Sequence, residues 1–164
     1  MPSHQVGAVL VDTNLHQMVK EGRLTLPQKE TVAKKVVQPD SVDLYTGSNP
    51  IYRVTGIPDI SGGFDPESFI NKNLQGSVYE YSKEKDPLDL KRRATYITEL
   101  NHKISLADDE CGYANARSSV GRTDVLCMLL CEGPTSFNHI PKGYMGKLWL
   151  VIIPQSFSLH LPPF

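Results

Sequence analysis

The residues with the most chemistry per unit length lie between Ala116 and Asp124, reading A-R-S-S-V-G-R-T-D. Adjacent hydroxyls on Ser118 and Ser119, a glycine at 121 and the guanidinium of Arg122 can surround an anion. The hydroxyls donate to phosphate oxygens, the arginine supplies a planar charged fork, and Gly121 allows close backbone approach. The segment immediately precedes the apolar run Val125 to Leu130, so it is expected to form the turn into a buried element. A surface turn stabilised by its own serine side chains is the other reading of the same residues. Cys111, Cys127 and Cys131 are odd in number and have no C-x-x-C spacing. That excludes a disulfide framework and leaves too few close ligands for a structural zinc, so free, mostly buried thiols are expected. The five histidines are scattered, with no H-E-x-x-H or H-x-E…P-C-x-x-C pattern.

The elements that must position these residues are mostly strands. One segment near the start reads as a helix: Asp12 as its cap, Leu15, Met18 and Val19 at helical spacing, and Gly22 at its end. Val36 to Tyr45 closes on the alternation of Val42 and Leu44 with Ser41, Asp43 and Tyr45. Further strands are expected over Ile51–Val54, Ser77–Tyr81, Ala94–Leu100, Asp124–Leu130, Lys147–Ile153 and Phe157–Leu161. Twelve prolines and twelve glycines, spread along the chain, supply the turns between them. Gly56 to Gln75 is longer than a usual loop, and is read as an excursion carrying function or a mobile surface arm. The run K-E-K-D-P-L-D-L-K-R-R over 83–93 is read as a solvated connection. This pattern points to a mainly β sandwich or barrel-like domain with a short N-terminal helix.

Length and charge set outer bounds. With 164 residues, 40% hydrophobic and 21% charged, the chain fits one globular domain. Seventeen basic against 18 acidic residues give a net charge of -1. That excludes broad, charge-driven binding to nucleic acid or to a membrane surface, while leaving room for a local anion pocket. No apolar run, Leu148 to Ile153 included, approaches the roughly 20 residues a spanning helix needs, and no signal peptide is read. A cytoplasmic location is expected.

Three segments taken together carry a family resemblance. Gln38-Pro39-Asp40-Ser41-Val42-Asp43-Leu44 resembles the Q-P-x-S-[VIL]-D-L signature of dCTP deaminases. Arg117-Ser118-Ser119-Val120-Gly121-Arg122 resembles their [KR]-S-S-x-x-R phosphate motif, and Gly143-Tyr144-Met145-Gly146 their G-[WY]-x-G turn. Tyr52-Arg53-Val54, the stretch Phe137 to Gly146, and Pro154-Gln155-Ser156-Phe157 extend the likeness to the first module of long, two-module bacterial dCTP deaminases. It spans roughly residues 7 to 161.

The resemblance implies a dUTPase-like fold, a distorted β-barrel or jelly roll assembled as a homotrimer with nucleotide sites between subunits. The implied ligand is a pyrimidine deoxynucleoside triphosphate of the dCTP or dUTP type. The implied reaction is zinc-independent hydrolysis of the cytosine amino group, with magnesium carried in by the triphosphate. Ser118, Ser119 and Arg122 would hold the phosphates, Ser118 and Arg122 also helping to position water. Gly143, Tyr144, Gly146 and Val151 would shape the base and sugar pocket. Asp43 matches the acidic residue of the first motif and is expected to act structurally. The chain then departs from the pattern. The family's glutamate, which takes a proton from the attacking water, stands five residues after the second glycine, and here that position is Val151. Glu132 and Asp124 are the nearest carboxylates. Pro141 stands where the dUTPase branch carries its aspartate, and Asn138 replaces the aspartate of the F-D pair. Single-module members continue with a closing strand and tail, so the reading is one dUTPase-like domain over 1–164 without them, or a part of a longer protein. Two functions follow: a dCTP deaminase borrowing a carboxylate, or a catalytically silent module for nucleotide binding or assembly.

Overall fold

The unbroken apolar run along Leu148–Ile153 makes this segment the centre of a sheet buried on both faces. In a computed structural model of the chain, which describes residues 8–26, 36–47, 49–76, 78–79 and 87–161, strand β7 (Met145–Pro154) lies between β3 (Thr95–Ser105) and β5 (Val125–Cys131). With β1 (Ile51–Val54) outside β3, they form an antiparallel sheet of order β1-β3-β7-β5. Trp149, Val151 and Ile153 point to one face, where they join Ile97 and Leu130. Leu148 and Ile152 point to the other. Two short ribbons complete the β structure: β2 (Leu88–Leu90) with β8 (Leu159–Leu161), and β4 (Gly112–Tyr113) with β6 (His139–Ile140). The fold is mainly β, as expected. Among the described residues the strands do not close into a barrel.

Each face is covered by a different part of the chain. Helix α1 (Asp12–Lys20) presses Met18, with Leu24, onto Leu148, Leu129 and Leu100. The β2–β8 ribbon brings Leu88 and Leu90 against Tyr96, Val125 and Ile152. The opposite face is covered from within 56–75. There Asp65 caps helix α2 (Pro66–Asn73) by accepting from Ser68 N–H at 3.0 Å, with Pro66 at the first helical position. Phe64 and Ile70 are buried over Trp149 and Val151. This stretch therefore contributes to the core, which corrects its reading as a mobile surface arm.

Other expectations shift in detail. Helix α1 begins at Asp12, and Val11 stands at its N-cap. Asn14 Oδ1 accepts from Val11 N–H at 3.1 Å, while Asp12 Oδ1 accepts from Thr13 N–H. Gly22, at φ +71°, lies just past its end as expected. Val36–Tyr45 is a tight hairpin turn with a single bridge, Val37 to Val42, because Val42 and Leu44 pack under α1 and Leu24 rather than in the sheet. The strand expected at Ser77–Tyr81 falls partly outside the described residues, and its Tyr79 bridges Ile51. The charged run is not simply solvated: Leu88 and Leu90 are core residues, and 83–86 lie outside the described residues. Of the three free cysteines, only Cys131 is buried, Cys127 being half-buried and Cys111 exposed.

Strand β3 carries a bulge. Its register against β7 jumps between Glu99 and Lys103, which frees Asn101 N–H to donate to Tyr45 O at 3.0 Å. His102, 0% exposed, turns inward there. Its Nδ1–H donates to Thr25 O at 2.9 Å and its Nε2 accepts from Tyr45 N–H at 2.9 Å. One neutral imidazole thus ties β3 to two distant segments, and burial lowers its pKa against the hydrogen bond to Thr25.

Candidate functional site

Arg117 to Arg122 form a single exposed helical turn, α3 (Ser118–Gly121), entered at Arg117 and left at Arg122. Backbone bonds and Thr123, whose Oγ1 donates to Val120 O at 2.6 Å, close the turn. Ser118, Ser119 and Arg122 are exposed, and among the described residues none of their side chains has a hydrogen-bond or ion-pair partner. A turn stabilised by its serines would have spent those hydroxyls on its own backbone. Here Thr123 does that work, and Val120 anchors the turn by packing on Tyr96, Val125 and Ile152.

The first motif reaches this turn. Asp43 accepts from Gln38 Nε2 at 3.5 Å and pairs with Arg117 at 3.3 Å. Gln38 N–H donates to Ser41 O at 2.8 Å across the Q-P-D-S turn. Asp43 therefore holds Arg117, the residue preceding the two serines, rather than facing open solvent.

The G-Y-M-G segment is a second device. Gly143 sits at φ +67°, a conformation that suits glycine. Tyr144 folds back over the turn: its hydroxyl donates to Lys147 O and accepts from Glu132 N–H at 3.2 Å. Burial raises its pKa to about 12. A Cβ on Gly146 would lie 2.7 Å from that hydroxyl, so the second glycine makes room for the ring of the first aromatic. Asn138, also left-handed at φ +63°, accepts from Leu129 N–H through Oδ1 at 2.8 Å. An aspartate oxygen would serve equally there.

One protomer does not bring these parts together. The serine turn leads into Val125, which pairs with Pro154 at one end of β7, whereas Gly146 lies at the other. Eight residues of strand separate them, roughly 26 Å. Val151 lies between, 0% exposed, flanked across the sheet by Ile97 and Met128 and covered by the Phe64–Ile70 cluster.

At the Gly146 end a cleft of about 610 Å³ opens between β7 and α2. Its walls carry Asp65, Glu67, Glu99 and Glu132 against one cation, Lys147, with Trp149 at the base. Lys147 Nζ lies 2.8 Å from Glu99, whose hydrogen bond raises the lysine's pKa, and Glu132 adds to the effect. Trp149 Nε1 donates to Glu132 Oε1 at 2.9 Å, fixing that carboxylate at the rim. Sequence reasoning named Glu132 but missed Glu99 and Lys147. They meet only through cross-strand pairing, for which no local spacing is a signal. Asp124 is at the opposite end of the sheet, where it accepts from Ser156 Oγ. Among the described residues no cluster of three or more His, Cys, Asp or Glu suits a metal ion, and no helix is long and apolar enough to cross a membrane.

Comparison with known proteins agrees with this architecture. The 2'-deoxycytidine 5'-triphosphate deaminase (DCD) N-terminal domain matches residues 6–163. The crystal structure of 2'-deoxycytidine 5'-triphosphate deaminase from Agrobacterium tumefaciens superposes with a TM-score of 0.82 at 28% identity. The match covers 94% of this chain and 44% of that one, so the chain spans less than half of that relative's length. No curated protein sequence matches. By its sequence over 6–163, and with a fold to match, the chain belongs to the dCTP deaminase N-terminal domain family.

Proposed function

We propose that this domain binds a pyrimidine deoxynucleoside triphosphate through Ser118, Ser119 and Arg122, without itself supplying the base for deamination. The observation that carries the binding reading is the uncommitted state of those three side chains on an anchored turn. Free hydroxyls beside a free guanidinium favour a phosphate chain, and magnesium would arrive with it. Two further features support the silent reading. Valine cannot move a proton, and position 151 is sealed in an apolar layer. The acidic cleft would repel a triphosphate, so the phosphates belong at the serine turn and not beside Glu132.

The separation of the serine turn from the G-Y-M-G turn favours a site completed between copies. A cyclic homotrimer sets one end of β7 against the other end in its neighbour, which is the heterologous contact that closes a ring. Gly143, Tyr144 and Gly146 then border the base and sugar.

A time course of dCTP and magnesium with the purified chain, followed by proton and phosphorus NMR, tests this reading. Broadened dCTP signals without uracil signals are expected, with binding lost in Arg122→Ala. Unchanged affinity in that variant would sink the clamp. The second reading, a deaminase borrowing a carboxylate, is favoured only by Glu132 being fixed at the cleft by Trp149. Uracil formation that disappears in Glu132→Gln would establish it instead.

A further inference from the structure

Three turns converge at the Pro154 end of the sheet. Arg93 N–H donates to Pro154 O at 2.7 Å, Gln155 N–H donates to Asp124 O at 3.0 Å, and Arg92 N–H donates to Ser158 Oγ at 3.2 Å. Lys91–Arg93, Ser118–Asp124 and Gln155–Ser158 are thereby fixed side by side. The cations there are not matched by free carboxylates. Asp124 already accepts from Ser156, and Asp89 pairs with Lys91 and His160. Arg93 has no side-chain partner among the described residues, and Arg92 has one long contact, Nη1 to Ser156 O at 3.5 Å. Both are exposed.

Arg93 also holds a left-handed backbone, φ +57°, which glycine would adopt without strain. An arginine kept in such a position is an outlier that asks for a use. Two strand spacings, about 10 Å, separate its backbone from that of Val125, just beyond Arg122. Arginines on either side of a gap of that width are within reach of one phosphate chain.

The geometry points to Arg92 and Arg93 as a second set of phosphate contacts, which grip the distal phosphates of a nucleoside triphosphate while Ser118, Ser119 and Arg122 hold the phosphate nearest the sugar. This rests on the serine-turn reading and adds a selectivity to it: the turn at 91–93 distinguishes a triphosphate from a monophosphate by length and charge.

The test compares the intact chain with Arg92→Ser/Arg93→Gly and with Arg122→Ala, titrated calorimetrically with dCTP, dCMP and inorganic tripolyphosphate. Glycine suits the backbone at 93, so the double variant should melt like the parent. Its affinity for dCTP and tripolyphosphate should fall about tenfold or more, and its affinity for dCMP should not change. Arg122→Ala should weaken dCTP and dCMP alike. Parental dCTP affinity in the double variant beside a weakened Arg122→Ala overturns the second contact and leaves the serine turn standing. Weakening only in the double variant removes the serine turn and leaves 91–93 as the anion site. Equal loss of dCMP and dCTP in the double variant overturns the claimed selectivity.

Discussion

At the scale of single residues, position 151 separates fold from chemistry. A valine between Ile97 and Met128, under Phe64 and Ile70, is what a core layer selects. A glutamate placed there would be desolvated on every side within the protomer. Val151→Glu should therefore cost about 3 kcal/mol or more, with its carboxyl neutral at pH 7. Chemical denaturation at pH 5 and pH 8 checks this, because a buried acid destabilises more where it must ionise. A variant equally stable at both values would mean that a carboxylate at 151 finds water or a partner. Asn138 carries the opposite lesson. It departs from the family's aspartate, yet the one side-chain bond it makes among the described residues needs an acceptor oxygen, which both residues have.

At the scale of elements, the G-Y-M-G turn is a self-contained lock. Gly146→Ala drives a methyl group into Tyr144 and should cost about 2 kcal/mol. Tyr144→Phe strips a partner from Lys147 O and Glu132 N–H and should cost about 1 to 2 kcal/mol. The double variant should cost clearly less than the two together, since the oxygen that clashes is the one removed. Additive costs in denaturation would mean the ring does not press on residue 146. Such local devices were legible beforehand, as were β1, β3, β5 and β7, whose apolar patterns are strong and continuous. Less legible were elements fixed by partners far along the chain. Leu88–Leu90 lies inside a charged run and becomes a strand only by pairing with Leu159–Leu161. Val42 and Leu44 alternate like a strand but serve as props beneath α1. The serine turn could be read because its residues are contiguous. The cleft could not, because 65–67, 99, 132 and 147–149 meet only in three dimensions.

At the scale of the molecule, a net charge of -1 conceals two unlike ends. Carboxylates crowd the cleft near Gly146, and exposed arginines without a carboxylate partner among the described residues stand at the far end near Pro154. His102 sits where the straps of this body cross. Its folded pKa is lowered, so the folded state resists the proton that the unfolded chain accepts near 6.5. Stability should be full above about pH 6.5 and decline as pH falls below it toward the folded pKa, by at most about 1.4 kcal/mol per pH unit from this group. Denaturation midpoints from pH 7.5 to 5, set against those of His102→Gln, isolate its share; parallel curves would remove the imidazole from the account. The distance along β7 from the serine turn to the tyrosine lock has a genetic consequence. If each pocket draws one half from each neighbour, a subunit broken at Arg122 and another broken at the tyrosine lock are separately inert. Refolded together, every mixed ring has one junction where the sound halves meet, so two null alleles would partly rescue each other.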